Sequence, residues 1–243
     1  MLSFIQPDGD NQFVLFSLEH LLSLFTVIAI ILVIYWYRNS LKKTLLNNLS
    51  RGIIITILII SEISLHAWLW WVDEWGFRNA LPLHLSSISL LLAALLLWIK
   101  SYRLFEFTYF VGIGSALQAM ITPDISLYTF PHFRYVQFFI AHGGIVIANF
   151  FMVFVEGFRP TLKSLWRAFF YLNLYTLFIF AFNLFIGSNY MYVSRKPFNP
   201  SLIDYLGPWP WYIIPLEIIA LVTFFMLYLP FWFLERKGMK EIK

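Results

Sequence analysis

A chain of 243 residues that is 60% hydrophobic and 12% charged, with a mean hydropathy of +0.74, lies far outside the balance of a soluble domain and belongs in a bilayer. The formal net charge of +4 is spread along membrane edges rather than gathered in one patch, which excludes nucleic-acid binding as its meaning. Cysteine is absent, so disulfide and thiol chemistry are excluded too.

Crossing about 30 Å of hydrocarbon takes about 20 apolar residues at 1.5 Å per residue. Windows of that length recur near 14–37, 52–72, 80–100, 104–122, 135–156, 165–187 and 210–234. Each is too long for a strand, and an open sheet edge would leave unpaired amides in lipid. The expectation is an all-α membrane protein, a single seven-helix transmembrane domain over residues 1–243. No long linker, low-complexity tract or internal repeat divides it, and the longest loop is 188–209. The first window follows a lysine-free stretch carrying Asp8 and Asp10 and lacks a small-residue cleavage site, so it reads as a retained helix.

Basic residues divide unevenly between the flanks of these windows. Thirteen fall on one side, at 38–51, 100–103, 159–167 and 236–243, against Arg78, Arg134, Arg195 and Lys196 on the other. The positive-inside bias then predicts a multi-pass protein of the cell membrane with its N-terminus outside and its C-terminus cytoplasmic.

That orientation puts the polar residues of the spans at one level. His20 beside Glu19, Glu62, His66, Ser86 and His142 fall roughly 9–15 Å below the outer edge at the helical rise. Gln118, Asn183 and Glu217 share that outer half, whereas the inner halves are Leu, Ile, Val and Phe apart from Asn149 and Asn173. The run "LPLHLSSIS" at 81–89 therefore contributes to a polar cavity beneath the outer surface.

Ionisable groups in a membrane cost several kcal/mol unless paired or wetted, which makes them functional candidates. A single serine in such a helix ordinarily bonds back to its own i−4 carbonyl, and a single histidine is as often a structural hydrogen-bonder. Four of the five histidines at one depth, His20, His66, His84 and His142, together with Glu62 and Glu217, make a less ordinary set. Glu62 and His66 are spaced i, i+4 and so share a helix face.

Three chemistries fit. A hydroxyl can be activated by a histidine that a carboxylate orients. Three ligands can hold zinc, although neither His-x-x-x-His nor His-Glu-x-x-His occurs, so no metal or other cofactor is expected. Glu and His can also relay charge in a transporter or ligand sensor. In the loop "NYMYVSRKPFNPSLIDYLGPWPWY" at 189–212 the aromatics suit the headgroup belt, and Arg195 with Lys196 suits a lipid phosphate.

The motifs "FSLEHL", "LPLHLSS", "QAMITPD", "FIAHGG", "NYMYVSRKP" and "LGPWPWY" together resemble the YwaF-type family of bacterial integral membrane proteins. More distantly the chain is similar to an animal membrane acyltransferase acting on ether phospholipids, and to membrane threonine hydrolases of fatty-acid esters. The resemblance implies seven spans, a nucleophile on one of them and a catalytic histidine about two spans later. Where the family pattern frequently has cysteine after Leu-Pro-Leu-His-Leu, this chain has Ser86, and His142 matches the histidine. Serine needs a stronger general base than cysteine, so the exchange marks either a serine enzyme or a lost activity.

The expected function is acyl transfer or ester hydrolysis on a membrane lipid. Ser86 attacks, His142 is the general base, His84 or Glu62 orients it, Gln118 or Asn189 donates to the oxyanion, and Arg195 and Lys196 hold the headgroup. The alternative is a transporter or sensor for a small polar or lipidic molecule. The expected partners are membrane lipids.

Overall fold

The computed structural model describes residues 4–7, 12–125, 127–197 and 202–241. Asp8, Asp10 and Lys243 lie outside them, as do the side chains of Lys237 and Lys240. Among the described residues there is no strand, and six helical stretches are long and apolar enough to cross a membrane. In chain order the helices are α1 (Leu18–Trp36), α2 (Arg38–Leu41), α3 (Thr44–Trp71), α4 (Leu85–Ile99), α5 (Tyr102–Phe107), α6 (Ile113–Ile121), α7 (Phe133–Phe154), α8 (Leu162–Ile186) and α9 (Ile213–Glu241). A π turn, Thr108–Gly112, joins α5 to α6 into one 20-residue rod, and α4 is the shorter apolar helix at 15 residues.

Local chemistry sets the helix limits. Ser17 caps α1, its hydroxyl accepting the His20 amide at 3.4 Å, and Glu19 in the first turn suits the positive end of the helix dipole. A capping box of Thr161 and Ser164 starts α8, which ends at Gly187 with φ +70°, a backbone that glycine adopts without strain. Helix α3 begins eight residues ahead of the expected 52, because 44–51 is polar but helix-compatible. Helix α4 begins five residues after the expected 80. Pro82 has no amide to donate and biases the residue before it away from helix, so the regular turns start only at Leu85.

The bundle is built around α7, which packs against α1, α3, α4 and α6. Gly143 and Gly144 make this possible. A Cβ on Gly143 would lie 2.7 Å from Val27 Cγ2, and one on Gly144 2.7 Å from Leu58 Cδ2, so α1 and α3 approach α7 only because both side chains are missing. Helices α8 and α9 sit at the periphery, with many of their large apolar side chains exposed.

The end of the bundle that carries most of the basic residues is fully cross-linked. Buried Glu106 accepts from Ser164 Oγ at 2.7 Å and from Arg167 at 2.8 Å. Glu156 accepts from Lys100 Nζ and Asn47 Nδ2, both at 2.8 Å. Arg51 donates to the carbonyls of Leu97 and Trp98, satisfying the last turn of α4.

Candidate functional site

At the opposite, charge-poor end, α4 starts inside the bundle rather than at its surface. His84 occupies the N-cap position but makes no side-chain cap. Its ring turns instead to the 190–192 segment, where Nδ1 accepts from the Met191 amide at 3.4 Å and the ring lies 5.2 Å from Tyr190 and 5.7 Å from Tyr192. Met191 and Tyr192 both have positive φ, +58° and +55°, which this contact holds in place. Tyr192 bonds the Asp124 side chain; its hydroxyl pKa is raised by burial first and by that carboxylate second. Tyr190 donates to Phe77 O at 2.8 Å, and Tyr212 donates to Tyr192 O. Residues 190–192 are thereby tied to the start of α4 and to Tyr212.

Leaving the first turn of α4 uncapped frees its donors. Among the described residues, the Leu85, Ser86 and Ser87 amides make no hydrogen bond. Half-buried Ser86, the second helical residue, has no carbonyl of its own helix one turn back, so the ordinary return bond of a membrane-helix serine is closed to it, and its hydroxyl bonds nothing described. One turn further in, fully buried Ser89 has an Oγ without a partner.

Helix α7 carries His142. Its Nδ1–H donates to Phe138 O at 2.8 Å, since a carbonyl only accepts, and the ring lies 4.1 Å from that of Phe138. The lone pair therefore resides on Nε2, which makes no hydrogen bond among the described residues. On α3, buried Glu62 has an unpartnered Oε1 facing His66 Nε2 at 3.5 Å. Trp75 Nε1–H donates to His66 Nδ1 at 3.1 Å. An indole only donates, so Nδ1 carries the lone pair and the neutral ring turns its Nε2–H toward Glu62.

Arg134 is the cation of this layer and was not among the expected site residues. It donates to Gln137 Oε1 at 2.7 Å, Gln137 in turn meets Ser61 at 3.4 Å, and the guanidinium interacts with Glu62, Glu74 and Asp124. His142 lies within the field of Arg134, and His84 within that of Asp124. Sequence reasoning placed Ser89 in the cavity-lining run "LPLHLSSIS" but gave it no role of its own, and it gave none to Tyr192, although Asp124 and Tyr192 stand in the motifs "QAMITPD" and "NYMYVSRKP".

The other expected residues have different surroundings. His20, fully buried, uses both ring nitrogens on backbone: Nδ1 accepts from Phe16 N at 3.0 Å and Nε2–H donates to Met120 O at 2.8 Å. Asn183 is taken up by Ser188 and by both the amide and the carbonyl of Tyr190. Asn189 closes a turn onto Ser194 and Arg195, with its own amide donating to Arg195 O. Gln118 is exposed. Glu217 bonds Asn173 at 3.0 Å on the α8–α9 seam, joining two residues expected at different depths. Lys196 reaches Asp204, at 3.3 Å to its carbonyl and 3.9 Å to its carboxylate. Among the described residues no three His, Asp or Glu side chains are grouped as metal ligands would be.

A groove of about 740 Å³, almost wholly apolar, lies between α1, α3 and α7 along Val136, Ile140, Gly143 and Ile147. His142 is about 140° around α7 from that stripe at 100° per residue. The groove and the polar layer thus occupy opposite faces of one helix.

Comparison with known proteins places the chain. A sequence model of the TMEM164 family matches residues 15–228, nearly the whole length, and the protein belongs to that multi-pass membrane family. No curated protein and no solved structure matches it.

Proposed function

We propose that the protein transfers or hydrolyses a fatty acyl ester of a membrane lipid, with Ser86 as nucleophile and His142 as general base. The observation that carries this reading is one of register. A Cβ built on Gly112 would touch both Ser89, at 3.6 Å, and Ile145, at 3.2 Å, which sets these faces of α4 and α7 side by side. Ser86 precedes Ser89, and His142 precedes Ile145, by three residues on helices that both start at the charge-poor end. Each is thus about 4.5 Å, one turn, further toward that end on the same face. A hydroxyl bound to no described group and an imidazole with its lone pair on Nε2 then share one level.

In the first step Ser86 Oγ bonds to the ester carbonyl carbon while its proton passes to His142 Nε2. Collapse breaks the bond to the lipid oxygen, which takes that proton and departs as an alcohol. A second hydroxyl, of lipid or water, then gives its proton to Nε2 and attacks the acyl-serine; the bond to Ser86 Oγ breaks and that oxygen takes the proton from Nε2, which restores the free serine and the neutral histidine. The hydrogen bond from Nδ1–H to Phe138 O fixes the tautomer this requires. Arg195 and Lys196 meet the lipid headgroup at the rim. The similarity of the "LPLHLSS" and "FIAHGG" motifs to YwaF-type proteins and to membrane acyltransferases supports the same assignment.

The topology belonging to this reading counts α4 as a seventh span, with the N-terminus outside and the C-terminus cytoplasmic. A reporter fused after Lys243 is then cytoplasmic, and labelling of that lysine by an impermeant amine reagent in intact cells would reverse the orientation.

The decisive assay follows a labelled phospholipid in vesicles containing the purified protein. Ser86→Ala abolishes turnover, and Ser86→Cys retains it because a thiol ionises more readily. Unchanged turnover in Ser86→Ala ends the catalytic reading. One observation favours a second reading, a proton-linked transporter: the unpartnered Glu62 Oε1 beside His66. In that case Glu62→Gln is the damaging change and Ser86→Ala is silent.

A further inference from the structure

We infer that Ser89, with the uncapped first-turn amides of α4, is the oxyanion donor of the site; the inference rests on the acyl-transfer reading above.

Ser89 is 0% exposed, yet its Oγ makes no hydrogen bond. A serine at this point in a helix has the carbonyls of Leu85 and Ser86 within reach of a return bond. Ser89 makes neither, so its hydroxyl is turned away from its own helix, into the space between helices. The polar groups around that space are already engaged. Thr108 Oγ1 donates to Leu104 O and meets Asn149 Oδ1 at 2.8 Å, and Asn149 Nδ2 donates to Ile145 O at 2.9 Å. Opposite Ser89 stands Gly112, where even a methyl group would come within 3.2 Å of Ile145 Cγ2. No described acceptor forms a hydrogen bond with the Ser89 hydroxyl, which leaves its proton available to an acceptor that arrives with the ligand.

An ester carbonyl attacked by Ser86 supplies it. As Ser86 Oγ adds to the carbonyl carbon, the π electron pair moves onto the carbonyl oxygen, and when the leaving alcohol departs it returns. Meanwhile that oxygen carries negative charge one turn or less from Ser89 Oγ–H and beside the Leu85, Ser86 and Ser87 amides, at the positive end of the α4 dipole. Ser89 is buried, the first-turn residues are half-buried, and none of these donors is used by the described residues. That makes them stronger toward the transition state than toward any ground-state group.

The test compares the parent protein with Ser86→Ala, Ser89→Ala and Ser89→Thr in three measurements. These are turnover of a labelled phospholipid in vesicles, the rate at which a fluorophosphonate attaches to Ser86, located by mass spectrometry, and melting temperature in detergent. Ser89→Ala is expected to lower kcat about 10²-fold with KM little changed and to slow the fluorophosphonate reaction in parallel. Its melting temperature stays the same or rises, because a buried unpartnered hydroxyl has been removed. Ser89→Thr, which keeps the hydroxyl, recovers most of the rate. A parental rate in Ser89→Ala with Ser86→Ala inactive overturns the role of Ser89 and leaves the acyl-transfer reading standing. A loss of rate accompanied by a lower melting temperature and no recovery in Ser89→Thr overturns it in favour of a packing role. A parent that neither turns over lipid nor takes the fluorophosphonate at Ser86 overturns both together.

Discussion

The two ends of the bundle treat buried polarity differently. At the basic end, Glu106 holds Ser164 and Arg167, Glu156 holds Lys100 and Asn47, and Arg51 closes the last turn of α4. At the charge-poor end, Glu62 Oε1, Ser89 Oγ and Ser194 Oγ are the described buried side-chain atoms that lack a partner. The proposed site takes Ser86 and His142 from α4 and α7, which both start at this end. The cost of an unsatisfied polar atom is the same at either end, about 1–3 kcal/mol. The unmatched atoms thus gather at the end where the proposed site lies.

The comparison breaks most visibly at His142. His142→Gln removes the base and lowers lipid turnover by about 10²–10⁴-fold while leaving the melting temperature nearly unchanged; equal rates in the two proteins would place the base elsewhere.

Arg167→Leu is expected to do the reverse. Glu106 then keeps only Ser164, and thermal unfolding in detergent shows a loss of about 2–3 kcal/mol, with turnover per folded molecule unaffected. A loss of specific activity without a loss of stability would make the basic end part of the site.

Glu62→Gln sharpens the contrast further. Turnover falls about twofold to fivefold, the worth of the 3.5 Å contact with His66, and the melting temperature holds or rises because a buried carboxylate is gone. Destabilisation measured for this variant would show that Glu62 is structurally paired after all.

The smallest effect is on pH. His132 caps α7, its Nδ1 accepting the Arg134 amide at 3.1 Å and its Nε2–H donating to Gln6 O. Its pKa is lowered, first by burial and also by Arg134, against the raising effect of the Gln6 bond. With the folded value below the unfolded one of about 6.5, the neutral cap contributes stability above that pH, and the contribution is lost as pH falls through the folded value. Hydrogen exchange of the Arg134 amide should quicken on acidification, and His132→Asn, which caps without titrating, should flatten the response.

Hydropathy alone located the six long helices, with ends displaced by up to eight residues, because the need for about 20 apolar residues is set by the bilayer. It also gathered Glu62, Ser86 and His142 toward one end. It did not reveal which way each helix is rotated. Lipid and protein core are equally apolar, so no polar stripe marks the inward face. Hence His20 and Asn183 turn out to serve backbone, and Glu217 lies on another seam. Arg134 sits in "PHFRYVQ", where nothing in the sequence signals that Gln137 and three acidic residues surround it. Ser89 was hidden for a different reason: a missing hydrogen bond leaves no trace in a sequence.

The π turn at Thr108–Gly112 sets the phase of everything after it. It holds one more residue than an α turn, so deleting any one of Tyr109, Phe110 or Val111 would leave a plain apolar helix of almost unchanged hydropathy. Every residue from Ile113 onward would, however, be rotated about 100° and drawn back about 1.5 Å. The carbonyl of Met120, which receives the His20 proton at 2.8 Å, would then face elsewhere, and the first helix would lose its clasp at the charge-poor end. One residue, invisible to any count of spans, works here like a tooth on a gear, keeping α1 and α6 in step across a hundred positions of sequence.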